Sequence, residues 1–319
     1  MDLQRNLWQF VVFGLAVTLA LSIYADLNSL LEAFSKFEWT LFPVVLGLTL
    51  GNQFLRFVKW EYLLSEVDVD LPLRKSFYIF GSGLIMIMTP GKLGEMWKCW
   101  LIRDEQGTPL SRTMPVIATE RITDLLGVLL ISLLGILAFD RSPLILLLFL
   151  IPISAGILLL QYERGSYWVI GLSESVPILR TKTDALRNLY TNSRSLLSPR
   201  PLGVTTVLSV FSWGLECIGL WLVLQGFGAD VTMIAAAFVF ALSSILGAVS
   251  LLPGGLGVTE GSMTAFLIVF GAGEATAASA TLIIRAATLW FVAVLALSVY
   301  LMYRRTSESI QSSPEEVDV

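Results

Sequence analysis

Long apolar runs limit what this chain can fold into more than any other feature of its sequence. Each run is close to the roughly 20 residues that an α-helix needs to cross the hydrocarbon core of a bilayer. Hydrophobic residues make up 55% of the 319 residues and charged residues only 14%, which is too apolar for a soluble domain of this length. We therefore predict an all-α polytopic membrane protein, with six full spans at residues 7–24, 39–63, 114–139, 144–162, 202–224 and 276–302.

Two other apolar stretches, 76–89 and 231–252, run into Pro-Gly sequences and continue as shorter segments to about residues 102 and 271. Non-helical backbone at membrane depth is tolerated where protein or water surrounds it. We therefore predict two re-entrant hairpins rather than two further crossings. The residues at the breaks are Pro90, Gly91 and Gly94 in the first hairpin and Pro253, Gly254, Gly255 and Gly257 in the second.

The distribution of lysine and arginine predicts the orientation. With a cytoplasmic N-terminus and hairpins that return to the side they entered from, most of the 21 basic residues lie on the cytoplasmic side, as the positive-inside rule requires. We expect a multi-pass protein of the cell membrane with both termini in the cytoplasm. The basic segment 163–200 is then cytoplasmic, either as a loop that fixes the topology or with an amphipathic helix at 182–197 on the leaflet. We expect the Ser/Glu-rich tail, 306–319, to be disordered.

The two halves of the chain resemble each other. A shift of 163 residues aligns the break at 90–94 with 253–257, where four of five residues match, and a shift of 164 pairs Arg121 with Arg285. The charge distribution gives the halves, 1–140 and 141–305, opposite directions across the membrane. Broken segments at equivalent places of two inverted halves are typical of secondary transporters with a site near the membrane midplane. The alternative is that the breaks are ordinary loops and that the match is accidental.

Charged side chains recur near both breaks and inside the spans, where an isolated charge is costly. Arg56 and Lys59 share a helical face with Asn52 and could hold a phosphate, or the two cations could extend to lipid headgroups. Arg285 either belongs to a translocation path or forms a structural pair with a nearby glutamate, Glu260 or Glu216. The candidate substrate-binding residues are Asn52, Arg56, Lys59, Lys92, Glu95, Glu120, Arg121, Asp124, Glu216, Glu260 and Arg285.

Several kinds of chemistry are excluded by the composition. The chain has no histidine, which removes histidine-based acid–base catalysis and histidine-ligated zinc. Cys99 and Cys217 are far apart in the sequence, so there is no CxxC pair, and no GxxxxGK[ST] nucleotide-binding loop occurs. We predict no metal site, no cofactor and no nucleic-acid partner.

Four motifs in order give the chain a family resemblance: GNQFLRFVKW at 51–60, PGKLGE at 90–95, ERITD at 120–124 and LPGGLGVTE at 252–260. Together they resemble the lysylphosphatidylglycerol synthase transmembrane region family. That family includes the flippase domain of the bacterial multiple peptide resistance factor and the membrane halves of some archaeal glycosyltransferases. The resemblance implies movement of lipids between leaflets, with function on Arg56, Lys92, Glu95, Glu120, Arg121, Asp124, Glu260 and Arg285.

These observations favour a lipid transporter or flippase, and not an enzyme, that moves a phosphate-bearing lipid between leaflets. The cargo would be a phosphatidylglycerol derivative or a polyprenyl-phosphate-linked sugar. Because no soluble aminoacyl-transferase domain follows residue 305, we do not expect this chain to make lysyl-phosphatidylglycerol. Membrane lipids are the expected partners, and a separate lipid synthase or glycosyltransferase and a homodimer remain open. The alternative is a membrane subunit of a lipid-modifying or glycosyl-transferring enzyme, or a scaffold for one.

Overall fold

The computed structural model describes residues 27–85, 94–139, 144–161 and 183–311. The predicted first span lies outside these ranges, as do Pro90, Gly91 and Lys92 of the first break. The predicted tail, 306–319, is described only as far as residue 311. The described helices are α1 (Leu27–Lys36), α2 (Phe42–Ser65), α3 (Leu73–Leu84), α4 (Trp97–Gln106), α5 (Leu110–Ala138), α6 (Leu144–Gln161), α7 (Thr183–Leu196), α8 (Pro199–Gly226), α9 (Met233–Val249), α10 (Val258–Val269), α11 (Glu274–Arg285) and α12 (Phe291–Gln311).

Three short helical segments of other types lie before or between these α-helices. A 3₁₀ turn at Trp39–Leu41 leads into α2, a second at Pro253–Gly255 lies between α9 and α10, and a π-helical segment, Ala286–Trp290, joins α11 to α12. π-Helical turns occur mostly as single interruptions of α-helices, and often near functional sites. This one follows Arg285 directly.

The helices confirm an all-α polytopic membrane protein. Four helical segments are long and apolar enough to cross a membrane, and they cover four of the predicted spans: Trp39–Ser65, Leu110–Ala138, Pro199–Gly226 and Glu274–Tyr303. The predicted span at 144–162 is also helical, as the 18 residues of α6. Proline in the first turn, as at the start of α2 and α8, suits a helix N-terminus because the missing N–H has no intrahelical partner there.

The second predicted break separates two helices that pack against each other, α9 and α10. Within it Gly254, Gly255 and Gly257 have positive φ angles of 59°, 67° and 85°, which glycine adopts without steric cost. The turn also approaches α9 closely, because a Cβ on Gly255 would lie 2.5 Å from Thr259 Oγ1 and 3.1 Å from Gly247 Cα. Glycine is therefore required at Gly255 both for its conformation and for its contacts.

Equivalent helices of the two halves, α2 and α8, pack side by side in opposite directions. Asn52 Nδ2 donates a hydrogen bond to the Ser212 carbonyl at 2.8 Å, whereas Phe37, before α2, packs on Gly226 at the end of α8. The first helix of each predicted hairpin packs on a helix of the other half. Helix α3 of the first half packs on α12, and α9 of the second half packs on α5. Two inverted halves would pack in this way, and the repeat itself stays a prediction.

Two apolar clusters lie at different levels of the bundle. One contains Phe37 and Val45 together with the middle and end of α5, α8, α9 and α11. The other contains the end of α2 with α3, α4 and the start of α5, including Trp60 and Ile117. Along α2 and α5 a charged level separates them, because Arg56 and Lys59 on α2 and residues 120–124 on α5 fall between the two clusters.

Gly127 on α5 allows close contact with α8 just above this charged level. A Cβ there would lie 2.9 Å from Ser209 Cβ and 3.0 Å from the Ser209 carbonyl carbon. We predict that Gly127→Ala lowers the stability of the purified protein by about 1–3 kcal/mol through overpacking, measured by thermal unfolding in detergent. Gly214→Ala on α8 is the control, since nothing lies within 4 Å of a Cβ at that position. Equal stability of the two variants would contradict this packing.

Candidate functional site

Glu120 is the centre of the charged level. Its side chain on α5 is fully buried and contacts three cations, one each from α2, α4 and α5 itself. Lys98 Nζ of α4 is 2.8 Å from Oε2, Arg121 Nη2 is 2.8 Å from Oε1, and Arg56 Nη2 of α2 is 3.4 Å from Oε1. Such charge-assisted hydrogen bonds offset the desolvation of the carboxylate.

Asp124, one turn further along α5, accepts a second set of cations. Lys59 Nζ lies 2.5 Å from Oδ1 and also donates to Ser209 Oγ on α8 at 2.9 Å. Arg121 Nη2 is 3.3 Å from Oδ2. Arg56 and Lys59 therefore point into the protein, where both side chains are buried at this level. Of the two alternatives for these cations, the one in which they extend to lipid headgroups is wrong.

Arg121 is the most accessible cation of the charged level. It contacts Glu95 Oε2 at 3.1 Å as well as Glu120 and Asp124, yet 25% of its side chain remains exposed. The side chains of Arg56, Lys59 and Lys98 are at most 6% exposed. Arg121 is thus held in place by carboxylates while it keeps a surface on which a ligand can bind.

Lys98 is a member of the site that sequence reasoning missed. Its ammonium lies 4.4 Å from the centre of the Trp60 ring and 5.3 Å from that of Phe80, positions in which the ring faces attract a cation. Gly83 leaves room for its stem, since a Cβ there would lie 2.3 Å from Lys98 Cγ. The available signal was the i, i+3 spacing from Glu95, which puts both residues on one helical face.

The second half builds a smaller ion pair around its break. Arg285 Nε donates to Glu260 Oε1 at 2.5 Å, and Nη2 donates to the Gly254 carbonyl at 2.7 Å. Glu260 in turn accepts from the Gly257 N–H at 2.7 Å through Oε2. The sequence allowed Glu260 or Glu216 as the partner of Arg285, and in the structure the partner is Glu260. This pair connects α11 to the start of α10 and to the break.

A cavity of about 300 Å³ lies between the two halves. Arg56, Arg121 and Asp124 line it from the first half, and Glu216 and Arg285 line it from the second. The rest of the wall is mostly apolar. Its further lining residues include Asn52, Gln53, Leu125, Val128, Trp213, Phe240, Ser244, Gly254, Gly255, Thr259 and Leu289.

Several buried polar atoms of this wall have no hydrogen-bond partner among the residues that the structure describes. The donors are Trp213 Nε1, Arg56 Nε and Arg121 Nε, and the acceptors include Gln53 Oε1 and Glu216 Oε2. Buried polar atoms are normally paired. The unpaired donors, together with three arginines, fit a ligand that carries hydrogen-bond acceptors and negative charge.

The structure thus places most of the predicted site residues around one cavity. Asn52 serves helix packing through its bond to Ser212, and Lys59 is paired with Asp124. Glu95 and Glu120 hold Arg121, and Glu260 holds Arg285. Lys92 lies outside the described residues. Within the ranges that the structure describes, no three cysteine and acidic side chains converge as metal ligands.

The sequence is similar to those of known membrane proteins over most of its length. A family model described as the lysylphosphatidylglycerol synthase TM region matches residues 11–296. Two UPF0104 membrane proteins of Methanothermobacter thermautotrophicus are 26% and 23% identical to the chain, over 92% and 89% of it and 92% of each relative. A UPF0104 membrane protein of Pyrococcus horikoshii is 19% identical over 89% of the chain and 93% of the relative. The match to the family model includes every charged residue of the cavity.

Removing Lys98 tests the charged level. We predict that Lys98→Met lowers the free energy of unfolding by about 3–5 kcal/mol, because it leaves a buried carboxylate with one cation fewer. Lys75→Met is the matched control: Lys75 is 2.6 Å from Glu105, but half of its side chain is exposed, so its loss costs about 0–1 kcal/mol. Thermal unfolding of both variants in the same detergent measures the difference. A Lys98 variant as stable as the Lys75 variant would show that the buried network does not stabilise the fold.

Proposed function

This chain belongs to the lysylphosphatidylglycerol synthase TM region family, and we propose that it is a lipid transporter that moves an anionic, phosphate-bearing lipid between leaflets. The cavity between the two halves is the observation that carries the proposal. It brings three arginines together in one wall between the halves, and a phosphodiester is the common anionic group of membrane lipids. Planar guanidinium groups bind phosphate oxygens through paired N–H donors.

Arg121 and Arg285 come from opposite halves of the chain, and both line the cavity. A phosphate between them is held by the first half and the second half at once. Arg56 and the Trp213 indole N–H supply further donors from α2 and α8. In an inverted-repeat transporter the substrate lies at such an interface, and rocking of the halves exposes it to either side.

The size of the cavity fits a headgroup rather than a whole lipid. About 300 Å³ is at the lower end of the volumes that small-molecule sites occupy. The acyl or prenyl chains therefore stay in the bilayer while the headgroup crosses. The apolar part of the wall, with Leu125, Val128, Phe240 and Leu289, suits the first carbons of the chains.

We predict that Arg121→Ala and Arg285→Ala each reduce lipid transfer at least about tenfold, since a hydrogen bond to a charged group contributes roughly 1.5–3 kcal/mol. A leaflet-reduction assay in proteoliposomes with fluorescent phosphatidylglycerol, a zwitterionic lipid and a short polyprenyl phosphate measures transfer and its headgroup preference. Arg103→Ala is the control, because Arg103 is exposed on α4 and packs on Trp100 away from the cavity. Folded yield of each variant is checked by gel filtration.

Wild-type transfer in both arginine variants would contradict the role of the cavity. No transfer of any lipid by the intact protein would contradict the transporter itself, and would favour a membrane subunit of a lipid-modifying or glycosyl-transferring enzyme, or a scaffold for one. Co-purification of a synthase or glycosyltransferase from membranes would support both of these alternatives against the transporter.

The proposal includes the orientation of the bundle in the cell membrane. Lys75 lies at the end of the bundle where α2 ends and α3 begins, and Asp230 lies at the opposite end, after α8. Both are exposed, whereas Cys99 and Cys217 are buried. We predict that Lys75→Cys reacts with a membrane-impermeant maleimide only after the cells are permeabilised, and that Asp230→Cys reacts in intact cells. The reverse pattern would mean the opposite orientation.

A further inference from the structure

Glu216 differs from the other buried carboxylates of the site. Glu95, Glu120, Asp124 and Glu260 each lie within 4 Å of a lysine or arginine nitrogen. Glu216 on α8 is 5% exposed and forms no ion pair with any residue in the described ranges. Its Oε2 is buried without a hydrogen-bond partner, although the residue lines the cavity.

The charges around the cavity balance only when Glu216 is ionised. The described residues of the charged level and of the Arg285 pair, taken together with Glu216, comprise five basic and five acidic side chains: Arg56, Lys59, Lys98, Arg121 and Arg285, against Glu95, Glu120, Asp124, Glu216 and Glu260. A phosphodiester adds one negative charge to this buried set. A buried excess of charge is costly, so the phosphate needs a compensating positive charge.

Charged groups face Glu216 from several helices. Arg56 on α2, Arg121 and Asp124 on α5, and Arg285 on α11 line the same cavity, while Glu260 on α10 is bound to Arg285. Helix α9 has no titratable residue, and Cys217 follows Glu216 on α8. Glu216 is the one carboxyl in this described set that a cation does not hold within 4 Å, so protonating it breaks no ion pair. Protonation of any of the other four removes the charge from an existing pair.

We propose that the cavity takes up a phosphate-bearing headgroup together with one proton, and that Glu216 receives this proton. The inference rests on the proposed function and adds to it the coupling of headgroup to proton. A proton from water forms an O–H bond with the Glu216 carboxylate as the phosphate enters, which turns an ionised carboxyl into a neutral one. The positive charge of Arg56 and Arg285, which keep their own ion pairs, is then no longer offset by a charge on Glu216 and attracts the phosphate. Release of the headgroup returns the proton to water.

The sign of the pH dependence follows from this linkage. Because the bound state holds one proton more than the empty state, headgroup affinity decreases as pH rises, by at most about tenfold per pH unit. A neutral side chain at position 216 removes the linkage. Glutamine suits this test, since Gln53 is the equivalent residue of the first half and lines the same cavity.

Proton uptake on binding is the direct experiment. Purified protein in lightly buffered detergent solution with a pH indicator is kept at alkaline pH, so that Glu216 is ionised in the empty cavity. It is titrated with dihexanoyl phosphatidylglycerol, and binding is followed in parallel by calorimetry. We expect about one proton taken up per headgroup by the wild-type protein and none by Glu216→Gln. Glu274→Gln is the matched control, because Glu274 is exposed in the first turn of α11, and it should keep the wild-type uptake.

The outcomes separate this inference from the proposed function. Binding without proton uptake by the wild-type protein, or equal uptake by Glu216→Gln, overturns the role of Glu216 and leaves the transporter standing. Failure of the wild-type protein to bind or transfer any phosphate-bearing lipid overturns the proposed function. If the Glu216 variant does not fold, binding without proton uptake by the wild-type protein still overturns the inference.

Discussion

The compensation of buried charge is the constraint on which the rest of this structure depends. Glu120 and Asp124 are buried on a helix long enough to cross a membrane, where unpaired ions are expensive. Their cations come from α2, α4 and the same helix, so the ion pairs require these helices to meet at one level. The apolar clusters on either side of that level hold the helices together, and the ion pairs of the charged level fix the position of each helix along its neighbours.

The two halves meet this constraint in different ways. The first half uses a network in which several cations share three carboxylates. The second half uses one arginine, one carboxylate and the backbone of the glycine-rich break. The difference concentrates positive charge at the first-half wall of the cavity, and it leaves Glu216 on the second-half wall without an ion-pair partner among the described residues. An inverted repeat with identical halves would have no such asymmetry, and the cavity would have no carboxyl that is free to change its charge.

Much of the fold could be predicted from the sequence, because long apolar runs and Pro-Gly breaks are local signals. The ends of α5 and α8 fall within a few residues of the predicted spans. The site could be predicted only in outline. Helical spacing shows which residues share a face, but it does not show which face of another helix they meet. For that reason the spacing left Arg285 with two possible partners, and it gave Lys98, between two tryptophans in a short polar segment, no sign that it reaches Glu120 across the bundle.

The Arg285 pair connects binding to the shape of the second break. Its guanidinium is occupied by Glu260 and by the Gly254 carbonyl, and Gly254 lies in the turn that separates α9 from α10. Under the proposed function, a phosphate at Arg285 either uses the N–H donors that these two bonds leave over or displaces the Gly254 carbonyl from Nη2. Loss of that bond removes one restraint on a turn built from glycines with positive φ angles, while the bond from the Gly257 N–H to Glu260 keeps the start of α10 in place. The π-helical segment after Arg285 adds a second irregular point in the same region, with Leu289 packed on Gly254. Under the proposed function, the residue that recognises the headgroup is therefore also a residue that holds the glycine-rich turn between α9 and α10.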